Sequence, residues 1–313
     1  MSRAFLFPGQ GSQAVGMGRD LAGAFATARD TFQEIDEALR QSLSRLMFEG
    51  PESDLTLTEN AQPALMAMSL AVMRVLERDG KLDLKHHVAF VAGHSLGEYS
   101  ALAAARSFSL ADAARLLKRR GLAMQRAVPV GAGAMAALIG LDVEAAQALA
   151  GEAAAGEVCS VANDNGGAQV VVSGNKAAVE RAIAGAAARG AKRSIMLPVS
   201  APFHCALMAP AAREMAEALA GVVLREPHVP LVANVTAAAV TAPDEIKRLL
   251  VEQVTGLVRW RESVLYMKAQ GVDQLAELGA GRVLSGLAKR IDRELATVSL
   301  GAPAEIETFL KTL

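Results

Sequence analysis

The chain has 313 residues, of which 52% are hydrophobic and 21% charged, a balance that is ordinary for a globular protein with a large apolar core. Lys and Arg number 32 against 33 for Asp and Glu, so the formal net charge is −1. Such a balance offers no concentrated basic surface for phosphate groups, and we predict no nucleic-acid partner. The length favours two folding units.

Neither export nor membrane insertion is expected. Pro8 interrupts the amino-terminal apolar run before a signal peptide could form. The uncharged stretch at residues 127–141 has about 15 residues, whereas a membrane-spanning helix needs roughly 20. Cys159 and Cys205 lie outside any C-x-x-C pair, so neither a zinc site nor a disulfide framework is predicted. We therefore expect a cytoplasmic protein without a bound metal.

Strands and helices alternate in the first part of the chain. Residues 4–7 form a short apolar run, and residues 88–92 form a second run of the kind typical of strands buried on both faces. Apolar residues at helical spacing predict helices over residues 29–46, 61–76, 96–105 and 110–125. A capping box formed by Ser109 and Asp112 predicts the start of the last of these.

The pattern changes between residues 128 and 198. The predicted order is strand, helix, strand, strand, helix, strand, over residues 134–139, 143–155, 157–162, 169–173, 177–188 and 194–199. This is the order of a ferredoxin-like unit. We predict a ferredoxin-like domain at 128–198, inserted into an α/β domain made of residues 1–127 and 199–313.

After the insertion the alternation resumes. Helices are predicted near residues 209–219, 243–255, 260–270 and 283–291, with one more short helix near the carboxyl end. Strands are predicted near residues 231–233 and 275–278. These elements complete the α/β domain.

The sequence Gly-His-Ser-Leu-Gly at residues 93–97 lies between a predicted strand and a predicted helix. In that setting a G-x-S-x-G turn lifts the serine out of the sheet, and the helix N-terminus presents N–H groups that favour an oxyanion. Gly93 and Gly97 let the turn close without a Cβ clash. We predict that Ser95 is an activated nucleophile; an N-capping serine in a Gly-Ser turn is the structural alternative.

A nucleophilic serine needs a base, and the chain has five histidines: His86, His87, His94, His204 and His228. The first two border a charged strand entrance and the last lies between two prolines, so all three are predicted to be solvated. His94 adjoins the serine on a tight turn, points elsewhere and is predicted to be a scaffold residue. His204 follows a rigid loop at the domain junction, where catalytic groups are commonly held, and is the candidate base.

Five segments carry a resemblance to a known family. They are Phe-Pro-Gly-Gln-Gly-Ser-Gln at 7–13, Gly-His-Ser-Leu-Gly-Glu-Tyr at 93–99, Arg-Arg-Gly-x-x-Met-Gln at 119–125, Ala-Pro-Phe-His at 201–204 and Glu-Leu-Gly-Ala-Gly at 277–281. In their order along nearly the whole chain they resemble the malonyl-CoA:acyl carrier protein transacylases. The resemblance implies an α/β-hydrolase-like domain, with a parallel sheet, and a ferredoxin-like insertion. Ala280 departs from the proline of many relatives.

The resemblance also implies a role for each matching residue. Ser95 would be the nucleophile and His204 its base, while the backbone N–H groups of Gln10 and Leu96 would form the oxyanion hole. Arg120 would hold the malonyl carboxylate, because a guanidinium binds a carboxylate through two hydrogen bonds and is permanently charged. From local sequence alone, Arg120 would be interpreted as a solvated residue of a helix face.

The resemblance implies roles for two further residues and also implies the reaction. Gln253 would orient the histidine through its backbone carbonyl, and the bulk of Phe203 would disfavour an α-methyl branch on the acyl group. The implied reaction transfers malonyl from malonyl-CoA to the phosphopantetheine thiol of acyl carrier protein through a malonyl-serine ester, with ping-pong kinetics. No organic cofactor is expected.

The partners expected are malonyl-CoA and an acyl carrier protein, with no membrane, and the protein is expected to be a monomer. Because carrier proteins are usually acidic, they would dock on basic groups near the cleft. Candidates for such docking are Lys118, Arg189, Lys192 and Arg193.

Two other functions were weighed. A serine esterase or thioesterase needs the same turn and base, but ordinary α/β-hydrolases also place an acid between them in chain order, and six of the eight acids in that interval fall within the insertion. A nucleotide-binding module would use the glycines of residues 131–136 or 9–18. The first segment does not follow a strand, and the second lacks a Gly-Lys-Ser/Thr end.

Overall fold

The computed structural model describes residues 2–312 and contains two β-sheets flanked by helices. The strands are β1 (Arg3–Phe7), β2 (Phe90–Gly93), β3 (Gly133–Ile139), β4 (Cys159–Asp164), β5 (Gln169–Asn175), β6 (Arg193–Met196), β7 (Leu231–Ala233), β8 (Ala238–Val240), β9 (Gln274–Leu278) and β10 (Ala296–Leu300). The helices are α1 (Arg19–Ala24), α2 (Ala26–Leu39), α3 (Leu43–Glu49), α4 (Glu52–Leu55), α5 (Thr58–Arg78), α6 (Leu84–His87), α7 (Gly97–Ala104), α8 (Leu110–Ala127), α9 (Val143–Ala154), α10 (Lys176–Ala186), α11 (Ala209–Ala220), α12 (Pro243–Gln253), α13 (Trp260–Ala269), α14 (Val283–Ile291) and α15 (Pro303–Leu310).

The larger sheet has six strands in the spatial order β10-β9-β1-β2-β7-β8. Its first five strands are parallel and β8 runs antiparallel to β7. The central strand β1 is buried along its whole length, as the apolar run at residues 4–7 predicts for all but Arg3. Phe7 at its end pairs with Gly93 at the end of β2. The G-x-S-x-G segment therefore leaves the sheet at the carboxyl ends of two central strands, where open α/β sheets bind ligands.

The smaller sheet has four antiparallel strands in the order β4-β5-β3-β6. Helices α9 and α10 cover it, and their small alanines pack with Val161, Val170 and Val172 of the strands in a core of their own. The strand–helix order predicted for residues 128–198 is confirmed. The chain is thus a mixed α/β protein with one mainly parallel and one antiparallel sheet.

The end of strand β4 contacts helix α13 and the residues just before it. Asn163 forms a parallel bridge with Val258, and the carboxylate of Asp164 accepts a 2.8 Å hydrogen bond from Nε of Arg261. The Asp164 side chain is only 4% exposed, so this ion pair is shielded from water on one side. The inserted segment also contacts the G-x-S-x-G turn, where Nε2 of His94 lies 2.9 Å from Oδ1 of Asn165.

The single helix predicted over residues 29–46 is wrong, because the structure has two helices there. Helix α2 ends at Leu39, and Arg40 then adopts a left-handed conformation with φ 51°. The carboxylate of Asp36 accepts hydrogen bonds from the backbone N–H (2.9 Å) and hydroxyl (2.5 Å) of Ser44, which fixes the start of α3. No glycine or proline marks this break in the sequence.

Other predicted elements agree to within a few residues. The predicted helix start at Ser109 is confirmed, since its hydroxyl accepts a 3.0 Å hydrogen bond from the N–H of Asp112. The Asp112 carboxylate accepts from the Ser109 hydroxyl (2.6 Å) instead of from its backbone N–H, so the reciprocal half of the capping box is not formed. Strands β8 and β10 were not predicted, because both are short and partly exposed at the sheet edges. Within residues 2–312, no helix has the length and apolar character needed to cross a membrane.

Candidate active site

A tight turn between β2 and α7 presents Ser95. The serine has a left-handed backbone, with φ 54°. A Cβ on Gly93 would lie 1.9 Å from the carbonyl carbon of Gly97, and a Cβ on Gly97 would lie 2.2 Å from the carbonyl oxygen of Phe7. Both positions therefore require glycine, as predicted, and the turn can close only because neither side chain is present.

His204 lies directly against the serine. Its Nε2 is 2.8 Å from Oγ of Ser95, and its Nδ1 is 2.8 Å from the backbone carbonyl oxygen of Gln253. Because a carbonyl only accepts hydrogen bonds, Nδ1 carries the ring proton and Nε2 is left to accept the proton of the serine hydroxyl. The geometry is that of a nucleophile–base pair oriented by a backbone carbonyl in place of a carboxylate.

The environment of His204 keeps its imidazole neutral. The residue is 4% exposed, and burial, followed by the positive charge of Arg120, lowers its pKa from 6.5 to about 3. A neutral imidazole is the form that accepts a proton.

Two backbone N–H groups belong to residues that line the space in front of the serine. Those of Gln10 and Leu96 donate to no other group in the described part of the chain. The loop carrying Gln10 approaches the turn so closely that a Cβ on Gly9 would lie 2.8 Å from the carbonyl oxygen of His94. These two N–H groups are available to an oxyanion formed on an acyl group attached to the serine.

Arg120 is buried instead of solvated, with 1% of its surface exposed. Its Nη1 donates to Oε1 of Gln62 (3.0 Å), and its Nη2 donates to Oε1 of Gln253 (2.9 Å) and to Oγ of Ser95 (3.2 Å). The guanidinium carbon lies 5.8 Å from the centre of the Tyr99 ring. All its hydrogen-bond acceptors are neutral, so the site contains a buried cation suited to binding an anion.

Helix packing explains why this arginine points inward while Arg119 does not. A Cβ on Gly121 would lie 2.6 Å from the carbonyl oxygen of Thr58, so helix α8 lies directly against the start of α5. Arg119, on the other face, pairs with Glu214 at 3.2 Å. The local sequence cannot distinguish the two arginines, but the contact of α8 with α5 does.

One cavity of about 540 Å³ connects these groups. Its walls include six of the predicted site residues: Gln10, Ser95, Leu96, Arg120, Phe203 and His204. Apolar side chains of Met124, Met135, Leu197 and Val199 line it together with the phenyl ring. The sequence-predicted residues therefore converge on one space, with Gln253 beneath it.

Beneath the turn lies a polar group that we call the sub-elbow cluster: Glu98, Asn234 and Gln253, each at most 1% exposed. Oδ1 of Asn234 accepts a hydrogen bond from the N–H of Ser95 (2.8 Å), and its Nδ2 donates one to the carbonyl oxygen of Gly93 (2.7 Å). Burial raises the pKa of Glu98 to about 8, although hydrogen bonds from the other two cluster members and the charge of Arg120 lower it. Sequence reasoning missed Glu98 and Asn234 as site residues, and also Gln62.

In the described part of the chain no other histidine contacts Oγ of Ser95, although His94 lines the same cavity. Nε2 of His94 is 2.9 Å from Oδ1 of Asn165, and its ring packs at 5.6 Å against Trp260. His86 and His228 are exposed. Across residues 2–312, no group of three or more His, Cys, Asp or Glu side chains is arranged to hold a metal ion.

In this structure a mainly parallel α/β sheet presents a serine–histidine pair on a strand–turn–helix segment. This arrangement defines a class of enzymes, those that pass acyl groups through a serine ester. Comparison with known proteins narrows the class. The acyl transferase domain family matches residues 4–290. The malonyl CoA-acyl carrier protein transacylase of Escherichia coli (strain K12) is 47% identical over 308 residues, 98% of each chain. The chain belongs to the acyl transferase domain family and, within it, to the malonyl CoA-acyl carrier protein transacylases.

Solved structures agree. An acyl-carrier-protein-S-malonyltransferase from Bartonella henselae is 54% identical and has a TM-score of 0.97, covering 100% of this chain and 99% of its own. A malonyl-transacylase solved in complex with a type II PKS acyl-carrier protein is 44% identical, with a TM-score of 0.97 and 100% coverage of both chains.

Proposed function

We propose that the protein moves a malonyl group from malonyl-CoA to the phosphopantetheine thiol of acyl carrier protein. The observation that carries this proposal is the buried guanidinium of Arg120, 3.2 Å from Oγ of Ser95. An acyl group esterified to this serine would bring a terminal carboxylate within reach of a permanent cation. The relatives named above act on the same substrates according to their names.

In the first half-reaction Nε2 of His204 takes the hydroxyl proton of Ser95 while Oγ attacks the thioester carbon. The N–H groups of Gln10 and Leu96 stabilise the oxyanion, each lowering the barrier by about 3 kcal/mol, as in comparable sites. The tetrahedral intermediate collapses when the carbon–sulfur bond breaks. The proton held on His204 then passes to the departing CoA thiolate.

The second half-reaction reverses these steps with another thiol. His204 takes the proton of the phosphopantetheine thiol, whose sulfur attacks the malonyl-serine ester, and the same N–H groups hold the new oxyanion. The carbon–oxygen bond breaks and the proton returns to Ser95. Because one site serves both thiols in turn, double-reciprocal plots are expected to be parallel.

The two sheets belong to two structural units of this proposed enzyme. We assign the six-stranded unit, residues 1–127 and 199–313, to an α/β-hydrolase-like catalytic domain, and residues 128–198 to a ferredoxin-like inserted domain. The position of the serine turn at the end of β2 supports the first assignment, and the strand order β4-β5-β3-β6 supports the second.

Selectivity and docking follow from the cavity walls and surface charges. Phe203 lines the cavity beside the serine, and its bulk would disfavour an α-methyl branch.

For the acidic carrier protein, we favour the exposed Lys192 and Arg193 over Lys118, which already pairs with Glu59 at 2.7 Å. Arg189 pairs with Glu152. We expect a single chain to be active as a monomer.

Intact mass tests the proposal. Incubation with malonyl-CoA, without a thiol acceptor, is expected to add one malonyl group to the protein, and the Ser95→Ala variant is expected to add none. Adding carrier protein should discharge the adduct onto the carrier. A serine thioesterase, the competing function, would accumulate no adduct and would release free malonate steadily.

The pH dependence gives a separate prediction. Because the pKa of His204 is lowered to about 3, its neutral form persists well below 6.5, the ordinary pKa of imidazole. The second-order rate constant for acylation of Ser95, measured in single turnovers, is therefore expected to stay level between pH 7 and pH 5. A fall of the rate with a midpoint near pH 6.5 would contradict the burial effect.

A further inference from the structure

The acyl-transfer steps above use no atom of Glu98, although its carboxyl group is completely enclosed. Its Oε1 accepts the backbone N–H of Asn234 at 2.6 Å, and its Oε2 accepts a hydrogen bond from Nε2 of Gln253. A glutamate in the first turn of a helix ordinarily binds N–H groups of its own helix. Within residues 2–312 Glu98 accepts none from α7, so helix capping does not explain its position.

The hydrogen bonds of Gln253 fix which way its carboxamide faces. Nε2 donates to the carbonyl oxygen of Ser95 (2.9 Å) and to Glu98, and both of these groups accept hydrogen bonds. The amide oxygen must then face the opposite way, where Nη2 of Arg120 lies 2.9 Å from it. A flipped carboxamide would place N–H groups against the guanidinium and oxygen against two acceptors. Glu98 therefore helps to set the orientation that Arg120 requires.

The two glutamines in turn fix the guanidinium. Each terminal nitrogen of Arg120 carries two N–H groups. Gln62 accepts one from Nη1 and Gln253 one from Nη2, which leaves one N–H on each nitrogen. The remaining N–H of Nη2 is directed at Oγ of Ser95. A pair of N–H groups from the two nitrogens is what a carboxylate needs for a bidentate contact.

Charge supports the same arrangement. The Gln253 carboxamide accepts from a buried cation on one side and donates to a buried carboxyl group on the other. Hydrogen bonds aligned in such a chain polarise one another, so each strengthens the next. A buried group that loses its partner in such a network is costly.

We propose that Glu98 is a positioning residue, which acts through the carboxamide of Gln253 to hold the guanidinium of Arg120 ready for the acyl carboxylate. It touches neither the substrate nor the reacting atoms. The inference rests on the proposed function, because it takes Arg120 as the carboxylate-binding group.

A double-mutant cycle tests this role. The measured quantity is the ratio of kcat/KM for malonyl-CoA to kcat/KM for acetyl-CoA, in the wild type, E98Q, R120A and the double variant. The two carboxyl oxygens of Glu98 each accept one hydrogen bond, whereas glutamine has a single acceptor oxygen. E98Q is therefore expected to lower the ratio about tenfold, the effect of one buried donor left without an acceptor. In the R120A background the same substitution should change the ratio by less than about twofold.

The outcomes separate the two proposals. If R120A lowers the ratio and E98Q does not, the role of Glu98 is overturned and the function stands. An equal effect of E98Q with and without Arg120 also overturns it, because the action would bypass the guanidinium. If R120A itself leaves the ratio unchanged, the assignment of Arg120 fails, and the role of Glu98 fails with it.

A second buried glutamate provides a control for effects of these substitutions on folding. Glu277 is 0% exposed and accepts hydrogen bonds from the N–H groups of Leu284 (3.0 Å) and Ser285 (2.8 Å), away from the cavity. E277Q is expected to lower stability and leave the substrate ratio unchanged. Should E98Q not fold, E98D retains the carboxylate on a shorter side chain and is expected to lower the ratio about threefold. A wild-type ratio in E98D would then overturn the proposal.

Discussion

Replacing His204 by alanine is expected to slow acylation of Ser95 by malonyl-CoA on the order of 10⁴-fold or more, as for bases of other serine enzymes. The hydroxyl would retain its contact with Arg120 but lose the Nε2 acceptor at 2.8 Å. No other histidine contacts Oγ within the described chain. Single-turnover acylation, quenched in acid and followed by intact mass, measures the loss.

The matched control is His228→Ala. This histidine is exposed, and its backbone N–H bond to the carbonyl of Ala105 does not involve the imidazole. Its substitution should leave the acylation rate within about twofold of wild type, as for surface positions generally. A loss of less than tenfold in His204→Ala would mean that another group takes the serine proton.

Replacing Arg120 by alanine is expected to remove the preference for malonyl over acetyl groups. A buried hydrogen bond to a charged group contributes roughly 3 kcal/mol. The ratio of kcat/KM for malonyl-CoA to kcat/KM for acetyl-CoA should therefore fall by about two orders of magnitude. Acetyl transfer should change little, because an acetyl group has no carboxylate to pair. Competition between malonyl-CoA and acetyl-CoA for Ser95, read by mass, measures the ratio.

Two further variants sharpen this test. Arg120→Lys retains the charge without the planar fork, and its ratio is expected between those of wild type and alanine. Arg119→Ala removes the neighbouring guanidinium, which pairs with Glu214 outside the site, and should leave the ratio unchanged. An unaltered ratio in Arg120→Ala would show that the carboxylate binds elsewhere.

Local sequence patterns were enough to predict the elements that position the reacting groups. The turn at Ser95 depends on two glycines and the strand and helix beside them, all within residues 90–104. Helix α8 was predicted from apolar spacing and a capping box, although the burial of Arg120 was not. The burial depends on how closely α8 approaches α5, and a single sequence does not report that distance.

The sub-elbow cluster was beyond local reasoning for a related cause. Glu98 and Gln253 are 155 positions apart, and Asn234 follows a strand of only three residues. Each is an ordinary polar residue in its own segment. Glu98 and Asn234 meet because the parallel neighbours β2 and β7 end at the same edge of the sheet, and Gln253 reaches them from the end of helix α12, so that only the complete fold defines the cluster. Gln253 was identified through family resemblance alone.

Both reacting residues have a backbone that most residues with a side chain avoid. Ser95 has φ 54° and His204 has φ 58°, each at a cost of about 1 kcal/mol or more relative to an ordinary conformation. The surrounding contacts must hold them there against this cost. Glycine at either position would relieve it, so selection for stability alone would favour an inactive protein. Acyl transfer and maximal stability are therefore opposed at these two positions of the chain.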